Sequence, residues 1–323
     1  MRSALLVSPL LASFLAIAPA TAEPVPTGSP NVPSQTPAFP EQTRAPQLED
    51  TMTPSAQTIA EGLERPWGLA FLPEGDMLVT ERPGRLRRIT TDGEISDPIE
   101  GVPEVDNRGQ GGLLDVSLGP DFDTERWVYL SYAEPREEGK TATAVARGRL
   151  SENGERLTEV ETIFRQQPAW DSTKHFGSIL VWGENGTLFV TLGERSLPEP
   201  RQRAQTLDNT LGKVIRINAD GTVPDDNPFV DRDDAMDEIW SFGHRNIQGA
   251  DLHPDTGKLW TIEHGPKGGD ELNRPEAGGN YGWPVITYGE DYSGDAIGKG
   301  ITQREGMAQP VYYWDPVLSL IHI

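Results

Sequence analysis

From residue 66 onward, apolar and polar residues alternate in short runs, and the runs recur as one phrase. An alternating segment leads to a turn rich in Pro, Gly, Asp or Asn, then to a second apolar segment. Four copies are present: WGLAFLPEGDMLVTERPGRLRRI from Trp67, GLLDVSLGPDFDTERWVYLSYAE from Gly112, GSILVWGENGTLFVTLGE from Gly177 and GADLHPDTGKLWTIEHG from Gly249. Their turn residues Pro73, Pro120, Gly183 and Pro254 lie 47, 63 and 71 positions apart. Period-two alternation closed by such turns predicts a β-hairpin in each copy. Further strands are predicted at TAVARGRL from Thr143 and GKVIRINADG from Gly212. No long amphipathic helix pattern intervenes. Recurrence with variable insertions predicts the blades of an all-β propeller, with an irregular β-sandwich as the plainer alternative. Residues 59–323 leave room for about five blades of roughly 45–60 residues. After the strand-like QPVYYWDP the chain runs into PVLSLIHI with no closing strand. An incomplete ring is therefore expected.

Ahead of this region the pattern changes. Residues 1–22 read as a secretory signal: Arg2, the apolar run LLVSPLLASFLAIA, then Ala20-Thr21-Ala22 before Glu23. The run is shorter than the ~20 residues of a membrane span, and Pro9 interrupts it. A periplasmic or secreted protein is expected, without a membrane span once the signal is removed. Residues 23–58 are proline-rich and aperiodic, and are expected as a disordered or extended leader. Residues 59–323 are expected to form the folded domain.

Composition removes several classes of chemistry. With 28 Lys and Arg against 50 Asp and Glu, the formal charge is −22, which argues against a sequence-blind grip on nucleic acid or an anionic membrane. The absence of Cys excludes disulfides, thiolate nucleophiles, iron–sulfur clusters and Cys-ligated zinc. Neither a dinucleotide fingerprint, a phosphate-binding GxxxxGK[ST] nor an HExxH metalloprotease pattern occurs.

The candidate chemistry sits where rare polar residues meet Gly-rich backbone at strand ends. These places are Asn107 to Gly112, Lys174 to Gly177, and the pair Gly243 to Gly249 and Glu263 to Glu271. In a propeller they converge on one mouth of the central channel. His175 is the candidate general base, since imidazole titrates near neutrality; the alternative is a satisfied histidine packed on Phe176. Glu194, at the far end of the same hairpin, is a candidate to orient it, in what is otherwise an ordinary polar turn, Gly193-Glu194-Arg195. Arg245 would stabilise developing negative charge, or else form a surface ion pair. Glu271 with nearby carbonyls is a candidate Ca²⁺ site.

At these segments the chain resembles the soluble quinoprotein sugar dehydrogenases, in particular their bacterial aldose sugar dehydrogenase branch. The matching stretches include GQGGLLDVSLGPDF, HFGSILVWGENGTLFVTLGE, EIWSFGHRNIQGADLHP, EHGPKGGDELN and GGNYGWPVITYGEDYSG, and the likeness runs from about Trp67 to Asp315. The resemblance implies a six-bladed propeller of the soluble glucose dehydrogenase type, with the last blade missing from this chain. It implies pyrroloquinoline quinone and Ca²⁺ as cofactors, and oxidation of aldose sugars at C1, with an external electron acceptor. By motif, His175 resembles the base, Glu194 its acidic partner, and Arg245 with Asn246 the residues over the quinone. Gln110, His264 and Tyr292 resemble cofactor contacts. Gly265 and Pro266 resemble the carbonyls around a cofactor-side Ca²⁺, and Glu271 and Tyr281 ligands of a structural Ca²⁺. Ser196 to Pro200 departs from the amide-rich turn usual in the family. Two other readings compete: a non-catalytic exported binding propeller, and a Ca²⁺-dependent lactonase-type hydrolase. A homodimer is compatible with the sequence.

Overall fold

The computed structural model of the protein describes residues 24–25, 27–47 and 53–316. The expected signal peptide lies outside them. Four antiparallel sheets follow one another along the chain. The first holds β1 (Pro66–Phe71), β2 (Met77–Glu81) and β3 (Arg85–Ile89), and the second β4 (Leu113–Leu118), β5 (Trp127–Pro135), β6 (Thr141–Leu150) and β7 (Leu157–Arg165). The third holds β8 (Gly177–Trp182), β9 (Leu188–Leu192), β10 (Lys213–Ile217) and β11 (Ile239–Phe242). The fourth holds β12 (Ile247–Leu252), β13 (Leu259–Glu263), β14 (Asp270–Asn273) and β15 (Tyr312–Trp314). In each sheet the strands lie in chain order, and each repeated phrase supplies the first two. β1 packs on β4, β4 on β8 and β8 on β12, so the sheets radiate from their first strands as propeller blades do.

The expected five blades are four among the described residues. The count fails because blades vary in length: residues 274–311 form one insertion between β14 and β15, and the strand-like QPVYYWDP closes the fourth blade.

Alternation along each strand feeds two interfaces. Val128, Leu130 and Tyr132 of β5, with Leu113 of β4, face Leu78 and Leu86 of the first blade. Tyr129, between them, faces the third, with Leu188, Val190 and Ile215. On the other side of the third blade, Phe189 and Val214 meet Ile247 and Leu259 of the fourth. Polar groups stitch the same seams. The Thr80 hydroxyl donates to Leu114 O at 2.5 Å and the Ser131 hydroxyl to Ser178 O at 2.6 Å. Asp115 accepts the Leu180 N–H at 2.8 Å, and burial pushes its pKa up to about 6.

Part of the proline-rich segment departs from the expected disordered leader. Gln42 is fully buried against the fourth blade. Its amide donates to Pro310 O at 2.8 Å, and its side-chain oxygen accepts from Ala38 N at 2.7 Å and the Tyr288 hydroxyl at 3.1 Å. The Tyr313 N–H donates to Gln42 O at 2.9 Å, so the segment covers the exposed edge of β15. A segment without apolar periodicity is held here by hydrogen bonds, which hydropathy patterning does not register.

Candidate active site

The first strands of the blades begin at one end of the channel. This places Gly112 before β4, His175 before β8 and Arg245 before β12 around one mouth. His175 and Glu194 are 19 residues apart, yet flank the two open ends of the β8–β9 hairpin, where Gly177 pairs with Leu192. The hairpin therefore closes them into contact: His175 Nδ1 lies 2.8 Å from Glu194 Oε1. The other carboxylate oxygen of Glu194 accepts the Ser196 N–H at 2.7 Å. With Glu194 ionised, Nδ1 carries the proton and Nε2 its lone pair. Among the described residues His175 Nε2 has no hydrogen-bond partner. Burial and the nearby Arg245 push the His175 pKa down to about 4, against the raising effect of Glu194. The imidazole is thus neutral at pH 7 and ready to accept a proton.

The backbone of His175 is held as firmly as its ring. It sits in the left-handed region at φ 50°, and its N–H donates to Gln110 Oε1 at 2.8 Å. Gly193 must be glycine, because a Cβ there would lie 2.0 Å from His175 O. Arg195, treated as part of an ordinary polar turn from sequence, is fully buried beneath this loop. It donates to Thr141 Oγ1 at 2.6 Å, Ser172 O at 2.5 Å and His175 O at 3.3 Å. Its guanidinium lies 3.7 Å from the centre of the Phe176 ring. Burial lowers its pKa to about 9. Phe176 therefore packs on Arg195. Sequence gave no signal for Arg195 beyond its place directly after Glu194.

Arg245 is buried and forms no ion pair with a carboxylate among the described residues, so the surface ion pair is replaced. It donates to His264 O at 3.0 Å, and its backbone N–H to Glu263 Oε2 at 2.7 Å. The Trp283 ring lies 5.3 Å from its guanidinium, and burial lowers its pKa. Tyr292, 68% exposed, interacts with the same guanidinium. Asn246 accepts the Gly177 N–H at 3.1 Å and so ties the third blade to the fourth. The structure thus brings His175, Glu194, Gln110, Arg245, Asn246, His264 and Tyr292 to one mouth.

The fourth blade repeats the His–Glu arrangement. His244 precedes β12, Glu263 ends β13, and His244 Nδ1 lies 3.1 Å from Glu263 Oε1. Here, however, Nε2 is taken by the Ser241 hydroxyl at 2.9 Å, and the ring stacks on Tyr281 at 4.7 Å. This second histidine is locked in the core.

Beside it lies a cavity of about 10 Å³ walled by Glu263, Glu271, Gly265, Gly269, Tyr281 and Thr287, among others. The Asn273 amide bridges the two carboxylates, at 2.9 Å from Glu263 and 3.0 Å from Glu271. Burial and the adjacent Glu263 raise the Glu271 pKa. The walls bring Gly265 together with Glu271 and Tyr281 and do not include Pro266. The Tyr281 hydroxyl is already committed to Arg274 O at 2.5 Å. No cluster of three or more acidic, His or Cys side chains fit to hold a metal occurs among the described residues. Nor is any helix among them long and apolar enough to cross a membrane.

The chain is 46% identical over 264 residues to the aldose sugar dehydrogenase YliI of Escherichia coli, covering 81% of this chain and 70% of that protein. A crystal structure of a glucose dehydrogenase superposes with a TM-score of 0.78 at 50% identity, over 81% of this chain and 75% of that one. The PQQ-bound aldose sugar dehydrogenase of Streptomyces coelicolor does so with a TM-score of 0.64 at 30% identity, over 80% and 70%. Residues 63–321 match the glucose/sorbosone dehydrogenase family, and with this arrangement of blades and strand-end residues the chain belongs to that family.

Proposed function

We propose that the protein oxidises aldose sugars at C1 to lactones, with pyrroloquinoline quinone as hydride acceptor and His175 as general base. The observation that carries this reading is His175 Nε2, free of partners among the described residues and beside a buried guanidinium, while Nδ1 is tied to Glu194. The named activities of its relatives support the substrate class. When bound, the quinone supplies the electrophilic centre that takes up the C1 hydride. His175 Nε2 removes the proton of the C1 hydroxyl. Glu194 fixes the tautomer and balances the imidazolium that results. Arg245 would stabilise the negative charge that develops as the hydride is transferred. Gln110 holds the base through its backbone, and Asn246, His264 and Tyr292 are the further residues to contact the cofactor. A planar, polyanionic cofactor suits this mouth, because Arg245 Nε and Trp283 Nε1 both lack an acceptor.

Two Ca²⁺ ions belong to this reading: a structural ion held by Glu271 and Tyr281 at the small cavity they share with Glu263, and a cofactor-side ion held by the carbonyls of Gly265 and Pro266. The same reading takes the four blades as part of a six-bladed ring, and places the protein in the periplasm or outside the cell, passing electrons to an external acceptor. The test is dye-linked aldose oxidation with quinone and Ca²⁺ added or withheld. Activity that requires the quinone and disappears in His175→Ala is expected. Ca²⁺-dependent lactone hydrolysis without quinone would instead support the hydrolase reading.

A further inference from the structure

The segment after Glu194 carries a second cation to the mouth. Ser196 to Pro200 leads into a short helix, Pro198–Gln202, and Arg201 projects from it onto the indole of Trp283 at 5.4 Å. Arg245 meets the same indole at 5.3 Å. The two guanidiniums are close enough for Arg201 to lower the Arg245 pKa. Around one buried ring, Arg201 Nε, Arg245 Nε and Trp283 Nε1 are all enclosed donors without an acceptor among the described residues. Among the described residues the one carboxylate paired with Arg201 is Asp291, at 3.8 Å and 39% exposed. Neighbouring acids are engaged elsewhere: Glu194 with His175 and Ser196, Glu290 with Lys267. In a chain of charge −22, two cations held together with so little counter-charge make a donor-rich patch that an anion would complete. Arg201 keeps 21% of its side chain exposed, so its terminal nitrogens remain reachable.

We propose that Arg201 is a carboxylate-binding residue of the site, acting with Arg245 across the Trp283 indole. The inference rests on the quinoprotein reading above. Guanidinium pairs favour planar carboxylates, because their parallel N–H groups match the two oxygens. The carboxylate has two sources: the quinone, a tricarboxylate, or an acidic aldose such as a uronic acid.

The experiment titrates the protein with pyrroloquinoline quinone and with its trimethyl ester, following tryptophan fluorescence, in wild type, Arg201→Gln and Arg201→Lys. Steady-state rates with glucose and glucuronate follow on the same proteins. If the cofactor carboxylate is the ligand, Arg201→Gln weakens quinone binding by about tenfold, the scale of one charge-assisted contact. Ester binding stays unchanged, and Arg201→Lys recovers part of the loss. If the substrate carboxylate is the ligand, quinone binding is unchanged and kcat/KM for glucuronate falls about tenfold relative to glucose. Equal quinone affinities together with equal glucuronate-to-glucose ratios in wild type and Arg201→Gln, with matching unfolding curves, overturn the proposal alone. A wild-type protein that binds neither quinone nor glucuronate overturns it together with the reading beneath it.

Discussion

Replacing Glu194 by Gln tests the catalytic reading at its hinge. The two side chains have nearly the same shape, so the change removes charge and little volume. An opposite charge in contact raises a buried imidazole pKa by roughly 1–3 units. At 1.36 kcal/mol per unit this is about 1.4–4 kcal/mol of imidazolium stabilisation, or about 10- to 1000-fold in kcat. A second effect adds to it. The Ser196 N–H, 2.7 Å from Glu194 Oε2, keeps the amide oxygen on its side. The amide NH₂ then faces His175 Nδ1, which must become the acceptor, and Nε2 carries the proton instead. The sign of the pH effect separates this account from a general loss of fold. His175 must be neutral to act, so wild-type kcat/KM is expected to fall only as pH drops toward about 4. Glu194 raises that pKa, so its removal shifts the acid limb lower still, and no change of pH restores the rate. The assay is dye-linked aldose oxidation by the quinone-loaded protein from pH 4 to 9, beside wild type. A Glu194→Gln protein within twofold of wild type, or a wild-type acid limb at the ordinary imidazole value near 6.5, would refute the reasoning.

The same buried imidazole predicts a stability trend. Its folded pKa lies below its unfolded one, so its contribution is complete above about 6.5 and is lost as pH falls toward 4, about 3 kcal/mol in all; urea midpoints at pH 7 and pH 4.5, compared between wild type and His175→Ala, measure it. Arg195→Met leaves the Thr141, Ser172 and His175 oxygens without their donor, and is expected to cost about 2–4 kcal/mol on chemical denaturation. A loss below 0.5 kcal/mol would contradict that role. Gly193→Ala forces a Cβ toward His175 O, so kcat should fall at least about tenfold with KM little changed. Gln42→Ala strips partners from Pro310 O and Tyr288, with an expected loss of about 1–3 kcal/mol and faster proteolysis within residues 27–47.

The hairpins were legible in the sequence because they are local. Period-two alternation and the turns that close it are properties of some 20 consecutive residues, and all four repeated phrases fold as the first two strands of a blade. His175, Glu194 and Arg245 were legible as candidates for a related reason: polar residues in Gly-rich backbone at strand ends converge once the strands radiate from a common axis. Other features depend on contacts between distant residues, which no local pattern encodes. The number of blades turned on where residues 274–311 were inserted. Gln42 is buried 268 residues from its partner Pro310. Arg195 matters through Thr141 and Ser172, in a neighbouring strand and loop.

The choice of base shows the division most sharply. His175 and His244 each precede a first strand, each meets a Glu 19 residues later, and each uses Nδ1 to do so. By spacing the two are equivalent. Packing separates them: Ser241 and Tyr281 close over His244, whereas none of the described residues takes Nε2 of His175. Sequence determined that strand-end histidines would sit beside carboxylates, since a hairpin brings its two ends together whatever surrounds it. Only the tertiary structure decided which of them has a nitrogen left to accept a proton, because that depends on which side chains other blades and loops bring over the ring.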